Sequence, residues 1–108
     1  MVLQLAIFFT ACAAVTLGCL VPNSWLPRLP NDKLMHFGAF GTLAALALPL
    51  TDSRGEAALA LAGLLVAGWL IECLQQLVPQ RSFCWRDMAA NAAGIGCVAI
   101  GALLTGTL

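Results

Sequence analysis

Four long apolar runs separated by three short polar connections organise the chain. Val2–Val21 carries no charged residue or histidine, Leu34–Leu50 holds only His36, Ala57–Val78 only Glu72, and Met88–Leu108 none. The runs are 17 to 22 residues long, close to the ~20 that a helix needs to cross a hydrocarbon core about 30 Å thick. Period-2 alternation is absent, and open sheet edges go unsatisfied in lipid, so strands are a poor alternative. The pattern predicts four helices, at about 2–21, 34–50, 57–78 and 88–107.

Punctuation between the runs agrees. Pro22, Pro27 and Pro30 keep the first connection out of helix, and Trp25 suits the headgroup level. Ser53-Arg54-Gly55-Glu56 has capping-box spacing and opens the third helix. Pro79 stops that helix, and Asp87 stands where it can cap the fourth.

Composition narrows the class. Apolar residues make up 61% of the chain and charged residues only 9%, against roughly 45–50% and 25% in an average soluble domain. A soluble domain of this size leaves too much of its area in water to hide so much apolar surface. Five basic residues balance five acidic ones, so nothing is left over to neutralise phosphates and no nucleic-acid partner is expected. Disorder is excluded by the same hydrophobicity. The expectation is a single transmembrane domain over residues 1–108, an all-α integral membrane four-helix up-down bundle whose first partner is the lipid bilayer.

The first run lacks the basic n-region of a signal peptide and is longer than an ordinary apolar core segment. Thr16-Leu17-Gly18-Cys19 resembles a lipoprotein cleavage site except at Thr16, where a branched aliphatic is usual. An intact first helix is expected. The five cysteines form no CxxC pair, so neither a disulfide framework nor a zinc site is expected, and they read as small apolar helix residues. No second histidine stands at ligand spacing from His36. Neither metal nor cofactor is anticipated.

Short connections place the first and third linkers at one end of the bundle. Asp32, Lys33 and His36 enter the second helix there, and Glu72, Gln75 and Gln76 close the third. Arg81 and Arg86 follow in the linker, and Asp87 and Asn91 open the fourth helix. Glu72 is the sharpest of these. It lies six residues inside its run, about 9 Å of helix, where an ionisable group costs at least ~2.5–3.5 kcal/mol and needs a partner or a wet cleft. Gly68, Glu72 and Gln76 share a stripe with Gln75 beside it; Asp87, Asn91, Gly94, Val98 and Gly101 form another, as do Lys33, Phe37 and Gly41 with His36 and Phe40 alongside. Simpler roles exist for each residue taken alone. Asp32 and Asp87 suit helix caps, His36 an interfacial histidine bonded to a carbonyl, Arg86 a snorkelling or topology charge, Glu72 with Arg81 an ion pair, and Asn91 interhelical glue. Joint placement at one end is what points to a site.

Three blocks carry a family resemblance. Asp32-Lys33-x-x-His36-Phe37, then Gly68-x3-Glu72-x2-Gln75-x3-Pro79-x-Arg81, then Asp87-x3-Asn91-x2-Gly94 resemble the signature of the VanZ-like family of small bacterial membrane proteins. The resemblance runs from Asp32 to Gly94 and leaves out the first helix. It implies a multi-pass protein of the bacterial inner membrane and, through the family's founding member, a link to resistance against the glycopeptide teicoplanin. It supplies no reaction. The family often has a second acid beside the glutamate, where this chain has Ile71 and Cys73, which argues against a mechanism needing paired carboxylates at that point.

Two functions of different class fit these residues. In the first, Lys33 and Arg81, with Arg86 as a further candidate, meet the anionic headgroup of a lipid or lipid-linked precursor, with Asp32, His36, Glu72, Gln75, Asp87 and Asn91 lining the same cleft. In the second, Glu72 or His36 serves as acid or base of a membrane enzyme acting on a lipid phosphate or cell-wall precursor. No nucleophile–base pair is recognisable for the latter. Docking on a membrane protein partner, or on a second copy, through the Gly/Ala-rich fourth helix is a structural alternative. The first and third linkers hold four of the five Lys/Arg, which puts them in the cytoplasm by the positive-inside rule. A glycopeptide-related role favours the opposite face, and labelling of Cys84 in a variant lacking the other cysteines distinguishes the two.

Overall fold

The computed structural model describes residues 1–20, 32–78 and 83–107, without the side chain of Asp32. Four α-helices follow one another, α1 (Val2–Leu20), α2 (Asp32–Ala47), α3 (Arg54–Gln75) and α4 (Trp85–Leu104). No strand occurs among the described residues. The fold is all-α, and all four helices are long and apolar enough to cross a membrane. For that count α2 is taken together with the 3-10 turn that continues it, Leu48–Leu50.

Helix ends differ from the sequence expectation by a few residues, each for a local reason. α2 gives way to the 3-10 turn after Ala47 because Pro49 lacks the amide that continuation requires. Thr51 closes this turn, its amide and hydroxyl both donating to the Leu48 carbonyl at 3.1 and 2.6 Å. Ser53 caps α3 as its spacing suggested, its hydroxyl accepting from the Glu56 amide at 3.1 Å. Glu56 Oε1 in turn accepts from the Asp52 amide (3.0 Å), one residue earlier than in a standard capping box. α3 ends at Gln75 rather than Val78. The amides of Gln76, Leu77 and Val78 turn to the carbonyls of Cys73, Leu74 and Gln75, a tightened last turn ahead of Pro79.

The cap expected at Asp87 is not formed. Cys84 is the N-cap residue of α4 and its side chain makes no capping bond. Asp87 lies inside the first turn, and its carboxylate reaches across to α2 instead.

Packing is closest between α2 and α4. A Cβ built on Gly94 clashes with the Phe37 carbonyl oxygen and lies 3.0 Å from the Gly41 amide nitrogen, so the two backbones nearly touch. The pairs Lys33–Asp87, His36–Asn91 and Gly41–Gly94 advance together, so these helices run in one direction. Along α3 the order reverses, Glu72 meeting Cys84 and Gly68 meeting Asn91. α1 has no buried residue. It packs Phe8, Ala11, Cys12 and Val15 against the core and accepts a bond on its Cys19 carbonyl from Gln75 Nε2 at 2.8 Å.

The core is apolar at one level only. Phe40, Leu43, Ala44, Ala47, Leu64 and Ile95 form its cluster, yet three of the four largest fully buried side chains are Glu72, Gln75 and Asn91. Leu59, Val66, Trp69, Leu70, Ile100 and Leu103 face outward. Apolar exterior with polar interior reverses the arrangement of a water-soluble domain and is the one that lipid favours.

Candidate functional site

The first amides of a helix have no partner within it. At α4 one of them is satisfied from another helix, as the Cys84 amide donates to Glu72 Oε2 at 3.2 Å. Glu72 is 0% exposed, and this bond gives its depth a structural reason. One oxygen is thereby used. Oε1, equally buried, meets no hydrogen-bond donor among the described residues.

Beside it, Asp87 holds two partners from α2. Lys33 Nζ lies 2.6 Å from Asp87 Oδ1, with the lysine side chain 40% exposed and the aspartate buried. His36 Nε2 lies 3.5 Å from Asp87 Oδ2, long for a hydrogen bond. The other ring nitrogen, Nδ1, is 3.1 Å from Asn91 Oδ1. An amide oxygen only accepts, so Nδ1 carries the proton and donates. In a neutral imidazole Nε2 then presents a lone pair to a carboxylate, a contact that becomes attractive only when a proton or a cation comes between them.

Asn91 is seated by Gly68. A Cβ there would stand 3.1 Å from Asn91 Nδ2 and 3.1 and 3.2 Å from the Phe40 ring. Gly68→Ala is therefore expected to push Asn91 off His36 and to cost about 1–3 kcal/mol as overpacking, read as a lowered unfolding midpoint in detergent. Glu72, His36 and Asp87 each offer one ligating atom, and these three atoms lie within 4.8 Å of one another.

Of the residues singled out from the sequence, Lys33, His36, Glu72, Asp87 and Asn91 meet in one buried cluster. Arg81 and the side chain of Asp32 lie outside what is described. Gln75 is buried but donates to α1, so its amide ties helices together. Gln76, placed on the buried stripe by its spacing from Glu72, is exposed, and Gln75 takes the inward position. Gly101 and Arg86 are exposed too. The Cys84 amide and the Cys19 carbonyl were missed, since main-chain partners leave no trace in residue type. All five cysteines are free.

No family model, no curated protein and no solved structure matches the chain. The likeness to VanZ-like proteins rests on the three motif blocks.

Proposed function

We propose that this chain is a VanZ-like integral protein of a bacterial inner membrane, folded as an up-down bundle, that binds the phosphate of an anionic lipid or lipid-linked envelope precursor at the mouth of the polar cluster. One observation carries the reading. Lys33 stands partly exposed on Asp87, at the edge of the cluster where α2 and α4 both begin. Helix N-termini favour anions, and a lysine at the mouth adds a point charge for phosphate. The carboxylates of Glu72 and Asp87 line the interior, so the phosphate stops at the rim and its chains lie along the apolar outer faces. Arg81, in the third linker by sequence, is the second basic residue that this reading assigns to the phosphate. Teicoplanin susceptibility is the phenotype that the resemblance nominates.

Native mass spectrometry of the full chain in detergent, titrated with phosphatidylglycerol against phosphatidylcholine, tests this. The anionic lipid is expected to bind more tightly. Lys33→Gln and Arg81→Ala should each weaken it about fivefold, the equivalent of ~1 kcal/mol per basic residue. Equal binding of the two lipids, or an unchanged Arg81→Ala, overturns the reading.

A second reading is favoured by the burial of three ionisable side chains within reach of one another, since such groups in a membrane protein mark functional sites. Here His36 or Glu72 is the acid or base, and Lys33 with Arg81 stabilises developing negative charge on a lipid-linked phosphate. Turnover of a lipid-phosphate or peptidoglycan precursor, lost in both Glu72→Gln and His36→Ala, is its expected signature.

A further inference from the structure

From the same cluster we infer that His36, Glu72 and Asp87 form a binding site for a divalent first-row metal ion. One nitrogen and two carboxylate donors come from three different helices, and all three residues are buried. That donor set suits zinc, manganese or ferrous iron better than a thiolate-seeking or all-oxygen ion. Ligands at about 2.1 Å around one ion sit roughly 3–3.5 Å apart. His36 Nε2 and Asp87 Oδ2 already have that separation, at 3.5 Å. Glu72 completes the set, its ligating atom lying within 4.8 Å of the other two.

Three independent features point to a cation. Glu72 is fully buried, its carboxylate lies within reach of the other two donors, and one of its oxygens has no hydrogen-bond donor among the described residues. Asn91 holds Nδ1 of His36 while Nε2 faces Asp87; an outer partner of this kind orients metal-binding histidines generally. Finally, Lys33 engages Asp87 through Oδ1, which leaves Oδ2 beside His36 Nε2 for an ion. Burying two carboxylates close together is costly in a low-dielectric site, and a divalent cation between them lowers that cost. With three protein ligands, the ion keeps a coordination position for water or an anionic oxygen. The inference does not depend on headgroup binding, because the donors lie beneath the rim where Lys33 stands.

Mn2+ is the probe of choice, since the five cysteines compete little for it. The full chain, purified in detergent without phospholipid and stripped with chelator, is titrated while free Mn2+ is followed by electron paramagnetic resonance. One equivalent is expected to bind saturably and to raise the unfolding midpoint. Glu72→Gln should weaken binding at least 100-fold, and Asn91→Ala about 10–100-fold through loss of the outer partner. His36→Gln provides a second ligand variant should Glu72→Gln fail to give folded protein by circular dichroism. If folded wild-type chain shows no saturable Mn2+ binding, or if folded Glu72→Gln or His36→Gln binds as tightly as wild type, the site is a proton-sharing cluster and the inference fails.

Discussion

Gly94→Ala is expected to disrupt the fold more than the same change at any other glycine. The new Cβ meets the Phe37 carbonyl and the Gly41 amide, both backbone atoms of α2 that no rotamer change can move aside. Overpacking a core costs about 1–3 kcal/mol when side chains can yield; against backbone the helices themselves must separate, and the cost exceeds that range. Separation at this level also pulls Lys33 and His36 away from Asp87 and Asn91, because the same helix pair carries those bonds. Gly96→Ala provides the control. Two residues along the same helix, its Cβ meets nothing within 4 Å, and the change should be neutral or stabilising by about 0.5–1 kcal/mol from helix propensity. Unfolding of both variants by sodium dodecyl sulfate titration in mixed micelles, followed by circular dichroism, reads the difference.

The second large effect is expected at Asp87. Asp87→Ala leaves Lys33 and His36 without the carboxylate they share. Removing one partner of a buried ion pair costs about 3–5 kcal/mol. Here the cost falls below that range, since Lys33 is 40% exposed and can turn its ammonium to water. Lys33→Met alone should cost less, and the double variant less than the sum, with a coupling of about 0.5–3 kcal/mol. Strictly additive losses in the same unfolding assay would show that the two side chains act separately.

Much of this architecture was legible because lipid imposes a simple rule on sequence. Where the surrounding solvent is hydrocarbon, charge is confined to helix ends and linkers, so the spacing of ten charged residues outlines four helices. Glu72 stood out for the same reason, as the lone carboxylate within a run. The boundaries were less visible because apolar runs and helices need not coincide. α4 starts at Trp85, three residues before its uncharged run, with Arg86 exposed and Asp87 paired to Lys33 in its first turn. Gln75 and Gln76 show a second limit. Both are near the right face, and only the local tightening after Gln75 decides which one turns inward. Linear spacing brought His36, Glu72 and Asp87 to one end of the bundle but did not show that their ligating atoms lie within 4.8 Å of one another. Metal-ligand motifs are recognised when donors share one helix or loop, and these come from three helices joined only by packing.

The bond from Gln75 to Cys19 bears on how the protein is made. Its two ends lie 56 residues apart in the chain, and α1 has no buried residue. During synthesis α1 leaves the ribosome first, while the amide that will hold its last turn is not yet translated. Until α3 arrives, α2 is the neighbour among these helices against which α1 can pack. The long apolar run of α1 and that contact have to carry it through the interval before Gln75 can bond Cys19.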